Sequence, residues 1–368
     1  MTKHVKLAVS VLFIALMILT AAITRFYSDT EKTSSDSTET ADIVRKLPPD
    51  TDGSRIFVGK NGLYGVADRS GRITILPEWR SLRRTKSGLY VASEKIADTV
   101  LTGCIDSEGS VTVPFIYSSI TDHSYDDLNF YIAKAAADGT CVVYDDEFHP
   151  CFNRSWISAE SDDSELILTS DAGEYSYSLS SEGFIFKSAS VAGSVMNCEL
   201  RVSITSGVLL SKLDPAMIEK LISQTQLYLN YAYTNELSYV GSLDRADGAE
   251  ISGLFTGEKN IISKKLTEIS NIYIYSTSYE GDIPLFTVSV TAGSELGYNG
   301  ADGRSGIITG KYTATLEFKG DNAESLELTS AGFRESAPDY PKAEPEQEPV
   351  PDNAVPEGNN GVQEDSPV

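Results

Sequence analysis

Histidine is the scarcest of the side chains that run acid–base chemistry in this sequence. There are three in 368 residues, His4, His123 and His149. Serine and cysteine nucleophiles need an imidazole to take their proton, so acyl-transfer chemistry has almost no base to draw on, and a zinc site is disfavoured on the same count. The four cysteines, Cys104, Cys141, Cys151 and Cys198, follow neither zinc-knuckle nor Cys-x-x-Cys spacing. Cys104 and Cys141 stand one repeat period apart, which leaves two readings open: a disulfide between neighbouring repeats, or buried free thiols. Gly306-Ile307-Ile308-Thr309-Gly310-Lys311-Tyr312 has the outline of a phosphate loop. It places three residues between its glycines instead of four, and Tyr follows the lysine, so it reads as the beginning of a strand. Gly293 to Gly306 holds five glycines with Asn299 and Asp302 among them. That supplies too few alternating oxygen ligands for calcium, and the stretch reads as a long flexible hairpin loop.

Carboxylates are abundant, 53 acidic against 30 basic residues for a net charge of −23. Nucleic-acid binding rests on phosphate neutralisation by Lys and Arg, and no basic stripe interrupts the acidity, so that partner class is excluded. Pairs of carboxylates at glycosidase separation arise by chance in such a chain and carry no signal. No residue pattern for a cofactor or a metal is present. The aromatics are more regular: among 19 tyrosines and two tryptophans, Trp79, Tyr90, Tyr117 and Tyr131 recur in step. They either line a glycan- or peptide-binding face or pack between stacked repeats.

The elements that hold these residues repeat with a period of about 37 residues. Gly65-Val66-Ala67-Asp68-Arg69-Ser70-Gly71 returns as Gly103-Cys104-Ile105-Asp106-Ser107-Glu108-Gly109, and a worn copy, Ser180-Ser181-Glu182-Gly183, follows further on. Each copy makes sense as a hairpin. The aspartate accepts hydrogen bonds from the turn backbone, and Gly71 or Gly109 supplies the positive φ at the last loop position. The chain returns as Ile73-Thr74-Ile75 and Val111-Thr112-Val113, with Phe184-Ile185-Phe186 after Gly183. Pro77 and Pro114 mark the strand exits, each with an aromatic close behind. Gly88-Leu89-Tyr90-Val91-Ala92, answered by Asn129-Phe130-Tyr131-Ile132-Ala133, completes the unit. A third copy begins near Thr140-Cys141-Val142-Val143, with Asp146 where the turn glycine belongs.

These phrases resemble the WG-repeat (KWG-type) β-repeats of bacterial proteins. Gly62-Leu63-Tyr64-Gly65-Val66-Ala67-Asp68 matches their unit with Tyr64 at the tryptophan position, and the second copy has Thr102 there. The resemblance covers residues 56 to about 190 and implies an all-β array, common on exported proteins, with no defined catalytic residue. The structural signature is carried by Gly65, Asp68, Gly71, Gly103, Asp106, Gly109 and Gly183.

From residue 207 the pattern changes. Asp214 caps a helix with Pro215 at its first position, and Ile218, Leu221, Ile222, Leu229 and Ala232 recur at helical spacing with Tyr228 and Tyr231 beside them. A second helix is expected over Glu258–Ile269, with Ile261, Ile262, Leu266 and Ile269 on one face. Strands follow at 271–275, 285–290, 312–318 and 325–329. This order is α+β and is similar to the NTF2-like fold.

The ends read differently again. Leu7 to Thr24 is an uncharged run of 18 residues behind Lys3 and Lys6, long enough for a membrane helix with the body outside the cytoplasm; a signal peptide cleaved near Thr20-Ala21-Ala22 is the rival reading. The expected organisation is a cytoplasmic stub (1–6), a transmembrane or signal segment (7–24), a flexible linker (25–51), a β-repeat module of about four degenerate hairpin repeats (52–206), an α+β domain (207–335) and a disordered, acidic, proline-rich tail (336–368). The function this organisation suggests is a membrane-anchored, non-enzymatic scaffold that binds an envelope protein or glycan. The alternative is a carboxylate-based glycan hydrolase or a small-molecule enzyme in an NTF2-like cone.

Overall fold

The computed structural model describes residues 43–334, apart from 257, 301 and 302. The anchor or signal run, most of the linker and the C-terminal tail lie outside the described residues. Among the described residues no helix is long and apolar enough to cross a membrane. The described residues divide into two compact units, 43–191 with 203–211, and 192–202 with 212–334. The boundary expected at 206/207 is therefore not a single cut.

The first unit is built of antiparallel sheets. One runs in the order β1 (Ile43–Lys46), β2 (Arg55–Gly59), β3 (Tyr64–Ala67), β4 (Ile73–Trp79). The linker expected to reach residue 51 thus ends earlier, because Lys46 and Arg45 pair with Phe57 and Val58. A six-stranded sheet holds β5 (Ser81–Arg84), β6 (Tyr90–Ile96), β7 (Thr99–Ile105), β8 (Val111–Tyr125), β9 (Leu128–Ala135) and β10 (Cys141–Asp145) in chain order. A third sheet orders β11 (Ser158–Ser161), β12 (Glu165–Thr169), β13 (Gly173–Ser180), β14 (Gly183–Val195) and β15 (Cys198–Ile204), of which residues 192–202 are grouped with the second unit. Alternation drives them: β15 buries every second residue, Cys198, Leu200, Val202 and Ile204.

The repeat is visible in the registers. Tyr64 pairs with Trp79, Val66 with Ile75 and Ala67 with Ile73; 38 residues on, Thr102 pairs with Tyr117, Cys104 with Val113 and Ile105 with Val111. Between the first two pairs of each set the returning strand carries extra residues, Leu76-Pro77-Glu78 or Pro114-Phe115-Ile116. The prolines expected at strand exits therefore sit inside bulges of continuing strands, where a missing N–H breaks no ladder bond.

The short α1 (Gly207–Leu210) is grouped with the first unit, and the helices of the second unit are α2 (Pro215–Thr234) and α3 (Leu237–Gly241). Asp214 accepts from the Met217 N–H at 2.7 Å, and Asn235 closes α2 in the left-handed region at φ 58°. The face expected for burial is buried: Ile218, Leu221, Ile222, Leu229 and Ala232, with Tyr228. The sheet runs β16 (Arg245–Ile251), β20 (Glu327–Arg334), β19 (Ser305–Lys319), β18 (Ile283–Asn299), β17 (Ile261–Glu280), with β16 and β20 parallel.

Two expectations fail here. Glu258–Ile269 is not a helix; from Ile261 it belongs to β17. Bulges between Ile261/Ser263, Leu266/Glu268 and Ile269/Asn271 each insert a residue and flip the alternation. The apolar positions 261, 262, 266 and 269 consequently imitate helical spacing. Gly293–Gly306 is not a long loop either. Gly293 pairs with Lys311, Gly297 with Ile307 and Asn299 with Ser305, so both strands run well into the expected loop. Gly293 is small because a Cβ there would lie 2.7 Å from Glu268 Cγ across the β17 bulge.

Candidate functional site

The signature residues are turn and crossing residues. Asp68 Oδ1 accepts from the N–H groups of Ser70 (2.8 Å) and Arg72 (2.9 Å) and from the Ser70 hydroxyl (2.6 Å). Gly71 donates back to the Asp68 carbonyl at 3.0 Å with φ +88°. These donors, the Ser70 hydroxyl foremost, hold the Asp68 carboxyl below its ordinary value. Asp106 accepts from Glu108 (2.9 Å) and Ser110 (2.8 Å), with Gly109 at φ +87°.

Gly65 and Gly103 serve a different need. A Cβ on Gly65 would lie 2.6 Å from the Ile75 carbonyl oxygen, and one on Gly103 2.6 Å from that of Val113. The bulge of the returning strand folds directly over each glycine.

The third copy is set at a different phase. Asp145 accepts from Glu147 (3.0 Å) and His149 (2.7 Å), and the left-handed position is Phe148, at φ 64°, not Asp146. The spacing from Asp106 is therefore 39 residues, and Cys104 corresponds to Val143 rather than Cys141. Trp156, eleven residues after Asp145 as Trp79 is after Asp68 and Tyr117 after Asp106, exchanges both hydrogen bonds with Cys141 at 2.7 and 2.8 Å. A fixed period of 37 hid this tryptophan. In the fourth copy Gly183 pairs directly with Ser180 across a two-residue turn, so it is not the counterpart of Gly71.

The repeating aromatics are interior. Trp79, Tyr90, Tyr117, Tyr131 and Trp156 are all buried. Trp79 and Tyr90 share a core with Ile105 and Phe115 of the next copy, while Tyr117 and Tyr131 share one with Tyr144 and Phe148. They do not form an exposed aromatic face, although Tyr90 borders an open concavity.

What the turns present outward is a groove. An open concavity of ≈ 630 Å³ is lined by Lys46, Asp50, Asp52, Arg55, Asp68 and Arg69 among others, and an adjoining one of ≈ 430 Å³ adds Arg72, Arg84, Tyr90 and Glu108. Its rim includes a turn that straddles the expected end of the linker at residue 51: Gly53 (φ +86°) donates to the Asp50 carbonyl at 2.9 Å, as Gly71 does to Asp68. Arg84 fixes this rim. Its guanidinium lies 2.7 Å from Asp52 and 3.7 Å from Asp50, donates to the Ser54 hydroxyl at 2.9 Å, and sits 5.8 Å from the centre of the Tyr90 ring. The hydrogen bond from Arg84 holds the Asp52 carboxyl far below the usual carboxylate range. Arg55 and Arg69 stand exposed along the same groove.

The remaining reactive groups are held in structural surroundings. All four cysteines are free, and burial pushes the Cys104 and Cys151 thiols up to about 12, which leaves them protonated and poor nucleophiles at neutral pH. His123 stacks on Phe130 at 5.2 Å and lies 3.2 Å from the Thr121 hydroxyl; burial lowers its pKa. His149 faces Asp145 at 3.4 Å and Glu147 at 3.6 Å.

No protein-family model matches the chain, and no curated relative matches it. Among solved structures the chain is similar to the C-terminal WD40 domain of Sif2, at 11% identity and TM-score 0.22, over 83% of this chain and 76% of that one. It is also similar to the complex of the fission yeast SREBP–SCAP binding domains, at 10% identity and TM-score 0.18, over 78% and 76%.

Proposed function

We propose that this protein is a membrane-anchored, extracytoplasmic scaffold that works by binding rather than by catalysis. The groove at the repeat turns is the observation that carries the reading. The recurring Asp and Gly residues are consumed by turns, the aromatics by cores, and what the repeats leave exposed is an open rim of both signs of charge, Lys46, Arg55 and Arg69 beside Asp50, Asp52 and Asp68. Such a rim suits a polar, zwitterionic surface, an envelope protein or a peptide-bearing cell-wall polymer, which it would meet through charge-assisted hydrogen bonds. The run Leu7–Thr24 supports display outside the membrane by its length and the lysines before it.

The test is retention of the purified chain on isolated envelope membranes and cell-wall sacculi. Arg55→Glu combined with Arg69→Glu, both exposed and outside the cores, should lower retention at least several-fold with an unchanged melting temperature. Absence of retention on either preparation, or full retention by the double variant, contradicts the reading.

A further inference from the structure

The sheet of the second unit has two edges of different construction. β16 carries Arg245, Asp247, Gly248 and Glu250, the kind of charges and glycine that keep an edge from recruiting another strand. At the opposite edge, β17 has neither charge nor proline from Ile269 to Tyr279, in a chain of net charge −23. Its bulges at Ile269/Asn271 and Ser276/Ser278 bracket a regular run, Asn271–Ser276, and do not interrupt it. Tyr273 is 61% exposed on one face of this run. Ile272 and Ile274 lie on the other face, in the rows of the buried Val290 and Val288. The Ser276 hydroxyl, at the end of the run, is buried and has no hydrogen-bond partner among the described residues.

We propose that this edge is where two copies of the chain pair, β17 against β17, antiparallel about a two-fold axis at Tyr273. Residues directly opposite in an antiparallel pair share a face, and about this axis the run is its own complement. Tyr273 meets Tyr273 of the second copy, Ile272 meets Ile274, and Asn271 meets Tyr275, so apolar rows continue apolar rows and the aromatic pair stands on the outer face. An isologous contact of this kind closes on itself as a dimer. Its self-complementarity on both faces favours a second copy over an unrelated extended segment.

The experiment is the sedimentation mass of the full chain in mild detergent, run beside three variants. The unaltered chain should have twice the single-chain mass. Tyr273→Lys, which places like charges at the axis on an exposed side chain, should halve that mass with an unchanged far-ultraviolet spectrum. Under mild oxidation Tyr273→Cys should give a reductant-sensitive covalent dimer, and Val44→Cys, an exposed cysteine on another sheet, should not. A single-chain mass for the unaltered chain overturns the proposal, even if an added extended peptide binds the edge. A dimer that survives Tyr273→Lys without selective cross-linking at 273 overturns it equally.

Discussion

The ring of Trp79 stacks on that of Phe115 with centroids 5.1 Å apart and planes 14° from parallel. Trp79 ends the returning strand of one repeat, and Phe115 sits in the bulge of the next. One copy's core is thus closed by its successor, as neighbour-to-neighbour stacking in repeat proteins requires. Trp79→Ala should destabilise the first unit by about 3–5 kcal/mol, the usual range for a buried aromatic. In a double-mutant cycle with Phe115→Ala the coupling should be about 0.5–1.5 kcal/mol, read from denaturant melts. Additive losses would show that the repeats are energetically independent.

The two kinds of signature glycine should respond differently to alanine. Gly65→Ala and Gly103→Ala drive a methyl into a carbonyl oxygen 2.6 Å away and should cost about 1–3 kcal/mol, the range for overpacking. Gly71→Ala has open space around it and pays only for its left-handed backbone, about 1 kcal/mol. Equal losses at the two sites, measured by thermal melts, would remove the distinction between crossing and turn.

At Phe148 the balance tips the other way. Phe148→Gly relieves a positive φ but empties a buried site whose ring lies 4.5 Å from that of Tyr131 at an 18° angle. The core loss, about 3–5 kcal/mol, exceeds the backbone relief of roughly 1 kcal/mol, so the variant should melt lower. A stabilised variant would mean that the third copy is simply a damaged version of the first.

Acid should loosen the turns. The carboxyls of Asp52, Asp68, Asp138 and Asp162 are all lowered from the ordinary 3.8 by hydrogen bonds to the ionised form. A depressed folded-state value means that the stabilisation is fully present above the unfolded value and is lost as pH falls through the folded one. Melting temperature should therefore be level from neutral pH down to about 5 and fall below about 4. Asp68→Asn should blunt that fall, and a variant with the same acid slope as the parent would exclude Asp68 from it.

The free, buried thiols predict slow chemistry. At neutral pH the native chain should react with a thiol reagent far more slowly at Cys104 and Cys141 than the unfolded chain does, and all four cysteines should alkylate in denaturant without reductant. A missing pair of alkylations by mass would reveal a disulfide.

How far the residues announce this structure depends on whether their signals are local. The Asp-x-x-Gly turns are local: an acceptor and a left-handed glycine three residues apart suffice, and Asp68–Gly71 and Asp106–Gly109 form as read. So is the capping of α2 by Asp214 and Pro215. Trp156 was hidden because copies two and three are 39 residues apart, and only the pairing with Cys141 reveals the phase. β17 imitated a helix because bulges convert alternation into three- and four-residue spacing. Lys46 and Asp50 look like linker until Arg84, over thirty residues away in sequence, draws the Asp50–Gly53 turn into the groove.

The proposed function requires both units to be displayed outside the membrane. The most direct measurement is labelling of Val44→Cys in intact cells with a membrane-impermeant maleimide, followed by alkaline extraction of the membranes. The account predicts labelling before lysis and a labelled chain that stays with the membrane pellet. Labelling only after lysis, with the chain in the soluble fraction, contradicts it.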